Sequence, residues 1–270
     1  MKLVTWNVNG IRAREAELLR LLDEEKPDAV LLQEVKATLD QLPPTLYGLM
    51  GLPDYHSLWH GHRLRGSRRD GIAGYSGVSA HLRKSTFDRP AEAHPPFDIE
   101  TRVVEAHARE RATGREWVFV SMYVPNGGKD YPAKLHFLEQ LASYPPALSS
   151  KTFVIAGDLN VARSDADVHR SQRKPDAIGQ RAEERALFEK VFVAPDGSAR
   201  LVDVGRVLAP DDKELFTWWP YWKDSRQRNV GWRIDYVLCP PELAGRATSH
   251  RVLREFGTSD HAPVVVTFDA

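Results

Sequence analysis

Carboxylates, carboxamides and one histidine stand, in four of five short signatures, at or next to the ends of apolar runs that lie far apart in this chain. Trp6-Asn7 closes one run and Gln33-Glu34 another, Gly157-Asp158-Leu159-Asn160 follows a third, Asp235 stands within a fourth, and Ser259-Asp260-His261 precedes the last. Polar groups at strand ends can converge on one rim of a sheet, where ligands bind in open α/β folds. Oxygen donors gathered there suit a hard divalent cation, and an acid beside an imidazole suits a phosphate ester.

Each signature alone has a plain reading. Glu34 could cap a following helix, and Asp158 and Asn160 are residue types that favour turns. If the backbone stays extended, alternation puts Asp158 and Asn160 on one side. There a carboxylate can orient or deprotonate water, and an amide can donate to charge developing on phosphorus. Asp235 could orient His261 and raise its pKa, leaving a cation that faces a phosphate. Tyr123-Val124-Pro125-Asn126-Gly127-Gly128-Lys129 reads as a turn, or as a phenol, an amide and an ammonium group addressing a phosphodiester. Four of the seven tryptophans fall between Trp218 and Trp232, interleaved with Arg226 and Arg228. Aromatics usually pack a core, but with arginines they can also form a nucleic-acid surface. The basic runs 63–69 and 170–174 read first as solvated loops.

The elements that must position these groups are strand-like runs at 2–8, 29–32, 74–80, 102–108, 117–124, 152–156, 232–238 and 262–268. Helical spacing occupies 11–25, with Leu18, Leu19, Leu21 and Leu22 on one stripe and Pro27 as its stop, and recurs at 132–143 and 183–193. Strand runs follow one another without helices from 74 to 124, which favours antiparallel pairs. The expected fold is mixed α/β: two packed sheets with helices outside, in one domain over 1–270. Loops are expected at 60–70 and 163–178.

At 270 residues the chain can bury a substantial core. Its 37 basic and 37 acidic side chains cancel, so any attraction to phosphates must be local. The lone cysteine, Cys239, allows neither an internal disulfide nor a thiolate zinc cluster. With no apolar leader and no run near the roughly 20 residues of a membrane span, a cytoplasmic protein without a membrane partner is expected.

The order of motifs resembles the exonuclease III family of apurinic/apyrimidinic endonucleases, within the endonuclease/exonuclease/phosphatase superfamily. The resemblance rests on Trp6-Asn7-Val8-Asn9-Gly10-Ile11-Arg12-Ala13, Leu32-Gln33-Glu34, Gly74-Tyr75-Ser76-Gly77-Val78 and Tyr123-Val124-Pro125-Asn126. Gly157-Asp158-Leu159-Asn160, Asn229-Val230-Gly231-Trp232-Arg233-Ile234-Asp235-Tyr236 and Ser259-Asp260-His261 complete it, so it spans nearly the whole chain. It implies a four-layer α/β sandwich and Mg²⁺-dependent cleavage, with Mn²⁺ as an alternative, of duplex DNA 5′ to abasic sites. Exonuclease activity in the 3′→5′ direction and cleaning of 3′ blocked ends accompany this in the family. By resemblance Glu34 is the principal metal ligand, with Asn7 and Asp260 close by and Asp158, Asn160 and His261 around the same ion. Asp158 activates water, Asn160 and His261 stabilise the transition state, Tyr123 addresses the scissile phosphate, and Asp235 orients His261. Whether Tyr123 or Asp158 handles the leaving-group proton, and whether one or two metals act, stays open. Arg12, Tyr75, Asn126 and Lys129 are the implied DNA contacts, Trp218 and Trp232 the walls of an abasic-sugar pocket, and the expected state is a monomer.

Asn9 stands where some members have aspartate and Lys129 where some have arginine. The basic stretch 62–69 looks extended, and Asp167-Val168-His169-Arg170 replaces an asparagine-bearing segment. These departures bear on the balance of exonuclease and endonuclease activity. The rival readings are another superfamily phosphodiesterase, such as a nonspecific DNase, and a DNA-binding module without catalysis.

Overall fold

The computed structural model describes residues 1–48, 51–61, 75–148 and 150–269. The basic stretch 62–69 and the start of the expected strand at Gly74 lie outside them. Along the chain run β1 (Lys2–Asn7), α1 (Glu15–Glu25), β2 (Ala29–Gln33), β3 (Tyr55–His60), β4 (Val78–Arg83), β5 (Ala91–Ala93), β6 (Val103–Arg109) and β7 (Glu116–Tyr123). Then come α2 (Tyr131–Ser143), α3 (Pro145–Leu148), β8 (Thr152–Asp158), α4 (Ala182–Phe192), β9 (Val202–Asp203), α5 (Val204–Leu208), β10 (Asp235–Cys239), α6 (Pro241–Ala244), β11 (Ala247–Val252) and β12 (Val264–Phe268).

The strands form two six-stranded sheets, ordered β11-β12-β1-β2-β4-β3 and β5-β6-β7-β8-β10-β9. Each is mixed: β1–β2 and β7–β8 are parallel, and the other pairs are antiparallel. Alternation along the strands makes the layers. Leu3, Leu31, Val154, Ala156 and Val264 face the other sheet, in one core shared between the two. Their neighbours Val4, Trp6, Val30 and Leu32 turn outward onto Leu18 and Leu21 of α1. On the opposite side Phe153 and Ile155 pack on Phe137, Leu138 and Leu141 of α2 and Phe188 and Val191 of α4. Helix, sheet, sheet, helix is the expected four-layer sandwich, and burial of both faces of the central strands explains their continuous apolar runs.

Several expected boundaries move. Residues 11–13 form a 3-10 turn and α1 starts at Glu15, because Ile11 N is taken by Val35 O at 3.0 Å. On α1, Leu19 is 37% exposed and does not belong to the buried stripe. The expected strand at 232–238 begins only at Asp235, since Trp232 makes isolated bridges to Trp218 and Val168. The antiparallel expectation holds for β6 and β7, but β4 belongs to the other sheet. Residues 163–178 are the expected long connection. It is pinned from beneath: Asp167 Oδ1 pairs with buried Arg233 at 2.7 Å and with Arg206 at 2.6 Å, and Arg233 also pairs with Asp203 at 2.7 Å.

Among the described residues no helix is long and apolar enough to cross a membrane.

Candidate active site

The parallel pairs place the site. In register, Asn7 lies beside Gln33 at the ends of β1 and β2, while Tyr123, Asp158 and Asp235 share one rung across β7, β8 and β10. These two rims face each other across the sandwich. Beneath them Gln33 Nε2 donates to Ser121 Oγ at 3.0 Å and Ser121 Oγ donates to Leu32 O at 3.0 Å, so buried side chains fix one sheet on the other. Gly157 is required in this rung: at φ 149° an added Cβ would stand 1.9 Å from Met122 O on β7.

Asn7 is fully buried and ties the two rims together. Its Nδ2 donates to Glu34 Oε1 and to Asp158 Oδ2, each at 2.9 Å, while its Oδ1 accepts from Asn9 N at 3.0 Å. Its immediate role is therefore to hold two carboxylates in place. Glu34 leaves β2 with φ 50°, the sparsely populated left-handed region, a cost tolerated mainly at functional positions. Burial works against its ionisation, but the Lys36 ammonium and the Asn7 amide hold its pKa below the usual value. Lys36 also donates to Asn9 Oδ1 at 2.6 Å, and Asn9 Nδ2 donates to Asp260 Oδ1 at 2.8 Å. Asp260 receives Trp218 Nε1 on its other oxygen at 3.1 Å. Against its burial, the His261 charge and these donors keep Asp260 ionised.

The expected pairing of Asp235 with His261 is present. His261 Nδ1 lies 2.9 Å from Asp235 Oδ2, which also accepts from Thr217 Oγ1 at 2.6 Å. The other ring nitrogen, Nε2, faces Asp158 Oδ2 at 3.8 Å. Burial opposes a charge on His261, but Asp235 and then Asp158 overcome it and raise its pKa to about 10. Asp158 is pushed the other way from an ordinary carboxylate, up to about 7, by burial and, against the opposing His261 charge, by Asp235 and Glu34. Its Oδ1 accepts Asn160 N at 3.0 Å and its Oδ2 accepts Asn160 Nδ2 at 3.2 Å. The backbone does not stay extended here: Asn160 has φ 51°, and a left-handed turn brings the two side chains together. Burial and the negative charges of Glu34 and Asp158 raise the Tyr123 phenol well above its ordinary value, so it is a hydrogen donor and not a phenolate.

Glu34, Tyr123, Asp158, Asn160, Asp260 and His261 line a cleft of about 340 Å³ with Asn126, Gly128, Ile178, Trp218, Trp232 and Ile234, while Asn7, Asp235 and Thr217 lie behind this lining. Trp218 and Trp232 meet edge to face, centroids 5.5 Å apart, and form an apolar wall beside His261. Asn126 Oδ1 caps its own turn by accepting Gly128 N at 2.8 Å. Tyr75 and Lys129 flank the cleft together, with Lys129 Nζ 4.7 Å from the Tyr75 ring centre. Arg12 is exposed on the turn after β1 and is not part of the lining.

Four positioning residues escaped the sequence reading. Thr217 was hidden within an aromatic cluster. Arg102, 1% exposed, lies over the Tyr75 and Tyr123 rings and donates to Tyr75 Oη at 3.0 Å. Fully buried Lys134 donates to Asn160 O at 2.8 Å and pairs with fully buried Glu184 at 2.5 Å. Only the helical spacing of 132–143 hinted at Lys134, and it gave no reason to bury a charge.

The donor chemistry fits a divalent cation. The Glu34 and Asp158 carboxylates offer oxygens within 4.8 Å of each other beside the charged His261, and Asp260 adds a further carboxylate nearby. Asp158 is raised by burial first and then by the Asp235 and Glu34 charges, and a hard cation would relieve that negative charge.

The Endonuclease/Exonuclease/phosphatase family profile matches residues 4–261. Over 98% of both chains the protein is 31% identical to an exodeoxyribonuclease of Bacillus subtilis. It is 29% identical to Recombination repair protein 1 of Drosophila melanogaster, where all of this chain covers 37% of that protein's length. Among solved structures it is similar to the 3′ phosphatase NExo from Neisseria bound to product DNA hairpin, with TM-score 0.81, 28% identity and full coverage of both chains. It is also similar to an AP endonuclease from Archaeoglobus fulgidus, with TM-score 0.79, 26% identity and full coverage of both.

Proposed function

Because the chain belongs to the endonuclease/exonuclease/phosphatase family, we propose that it is a DNA-repair hydrolase acting on duplex DNA. It cleaves the phosphodiester 5′ to abasic sites and removes blocks from 3′ ends, with 3′→5′ exonuclease activity. It works as a monomer through one catalytic domain over 1–270, with Mg²⁺ held by Glu34, Asp260 and the neighbouring Asn7. The observation that carries this reading is the meeting of Glu34, Asp158 and His261 beside the Trp218–Trp232 wall.

Bound Mg²⁺ supplies positive charge to the phosphate and keeps the surrounding carboxylates ionised. Asp158, ionised in that setting, takes the proton of the attacking water. His261, held charged by Asp235, neutralises growing charge on the phosphoryl oxygens, and the Asn160 amide, which donates to Val124 O at 2.9 Å and to Asp158 Oδ2 at 3.2 Å, turns the second of these hydrogens to the same oxygens. Tyr123, a protonated phenol, donates to the phosphate or to the leaving oxygen. Hydrogen bonds from Asn7 keep Glu34 and Asp158 in place before substrate arrives, so little reorganisation is left for the reaction itself.

Selectivity comes from the wall. A sugar without a base can rotate against Trp218 and Trp232, whereas an intact nucleotide must unstack and bring its base into the same space. Arg12, Tyr75, Asn126 and Lys129 hold the flanking backbone. Tyr75 is kept in place for this by Arg102.

A duplex carrying one tetrahydrofuran abasic analogue, incubated with and without EDTA, tests the proposal. Incision 5′ to the analogue that chelation abolishes supports it, while indiscriminate nicking identifies a general nuclease and binding without incision a non-catalytic module.

A further inference from the structure

A second group of ligand-type side chains lies where the outer edges of the two sheets meet. β3 is the last strand of the first sheet and β5 the edge strand of the second. His60 ends β3, Glu92 lies in β5, and His94 directly follows β5. The imidazoles of His60 and His94 stack with centroids 3.9 Å apart and planes inclined by 28°. One nitrogen of each ring and one Glu92 oxygen lie within 4.8 Å of one another.

The hydrogen-bond chemistry of this group is incomplete without a cation. His94 Nδ1 lies 3.1 Å from Val103 O, a pure acceptor, so Nδ1 carries the hydrogen. In the neutral ring, the lone pair of Nε2 then points at Glu92 Oε1, 2.9 Å away, with acceptor facing acceptor. His60 Nε2 lies 2.6 Å from Asp98 Oδ2, so in the neutral ring that nitrogen carries the hydrogen and Nδ1 carries the lone pair. A proton on His94 Nε2 would close the gap to Glu92, but it would place a charge on one of two stacked rings and leave the His60 lone pair without a partner among the described residues. One dication satisfies both rings and Glu92 at once. Asp98 is itself rigid, because its Oδ1 accepts Arg102 N at 2.8 Å and Val103 N at 2.9 Å. A carboxylate behind one ring and a backbone carbonyl behind the other are the supports that metal-bound imidazoles use.

We propose that His60, Glu92 and His94 form a site for a zinc-type dication that pins the edge of one sheet to the other, with Asp98 holding His60. Two imidazoles and a carboxylate suit zinc and its borderline neighbours and not Mg²⁺, so the site is chemically distinct from the oxygen-rich cleft. Zinc bonds of about 2.1 Å in a tetrahedron put ligand atoms roughly 3.4 Å apart. Closing from the observed spacing requires shifts of about 1 Å and a χ rotation that turns one imidazole out of the stack, so that both ring planes contain the ion. Arg102, whose backbone Asp98 holds, also donates to Tyr75, so the site braces one flank of the cleft.

The test is calorimetric titration of chelator-stripped full-length protein with Zn²⁺ in saturating Mg²⁺, repeated in Glu34→Gln to set aside the cleft. The expected result is one bound equivalent, a raised melting temperature, and affinity at least about tenfold weaker in His94→Asn and in Glu92→Gln. Glu92 is exposed, so Glu92→Gln keeps the fold intact. With Mg²⁺ alone and no Zn²⁺ present, incision by both variants should match the unaltered protein. Zinc binding that is absent under Mg²⁺, or unchanged by both substitutions, overturns the proposal.

Discussion

His261 Nδ1 and Asp235 Oδ2 are 2.9 Å apart in a buried contact that joins the entry to β12 with the first residue of β10. It links the two sheets, and it keeps an imidazolium charged where burial alone would discharge it. Among the described residues Asp235 Oδ1 is buried without a hydrogen-bond partner, so Oδ2 carries the contacts to both His261 and Thr217. Thr217 therefore acts on the imidazole only through Asp235.

The pH profile should report this pair. The folded pKa of His261 is raised from 6.5 to about 10, so its charge and the stability it brings are fully present below pH 6.5 and are lost as pH rises through 10. Asp235→Asn removes the main stabilising charge, so the alkaline fall of kcat should move to lower pH. The maximal rate should drop roughly 10²–10³-fold, as expected when one transition-state donor is lost. An alkaline limb that stays in place in kcat measured from pH 6 to 10 contradicts the pairing.

Lys134 and Glu184 form a buried pair behind the cleft. Lys134 reaches Asn160 O, and Glu184 Oε2 accepts Gly179 N at 2.7 Å. Burial lowers the Lys134 pKa despite the opposing Glu184 charge. Removing one partner leaves a buried charge, so Glu184→Leu should cost about 3–5 kcal/mol. The double variant Lys134→Met with Glu184→Leu should be more stable than Glu184→Leu alone. Additive losses in a double-mutant cycle contradict the coupling.

Much of the candidate site was legible in the sequence because most of its polar signatures sit at or next to the end of an apolar run. Asn7, Glu34, Asp158, Asp235 and His261 needed only the sheets to bring those ends together. Thr217, Lys134 and Arg102 were not legible, because their roles come from contacts with residues distant in the chain. The strands β3, β5, β9 and β11 were missed for a related reason: β5 is largely exposed, β3 and β11 are for the most part only half-buried, and β9 has two residues, so pairing partners and not apolar runs define them. The expected extension from Asp158 to Asn160 failed because asparagine accepts the left-handed conformation readily.

Acid should unfold the protein through two neutral histidines, one buried and one half-buried. His81, between Ser57 Oγ and Ser79 Oγ at 2.9 Å each, is driven by burial to about 3, and His250, also by burial, to about 4. Both folded pKa values lie below the unfolded 6.5, so the stability these neutral rings bring is present above pH 6.5 and lost as pH falls towards 4 and 3. His81→Asn should flatten that limb by up to about one proton in urea midpoints measured from pH 7 to 4. An unchanged slope contradicts the assignment.

Abasic selectivity should reside in the tryptophan wall. Trp232→Ala is expected to slow incision at an abasic analogue while nicking of intact duplex stays constant or rises. Equal loss on both substrates in a side-by-side rate comparison would assign Trp232 to general DNA binding.

The most direct test is the single-turnover incision rate of Asp158→Asn at saturating enzyme on a duplex with one abasic analogue. The introduced carboxamide would keep the shape of the side chain but could not take a proton from water. The account predicts a fall of at least roughly 10³-fold with DNA affinity unchanged. A rate within tenfold of the unaltered protein would contradict it.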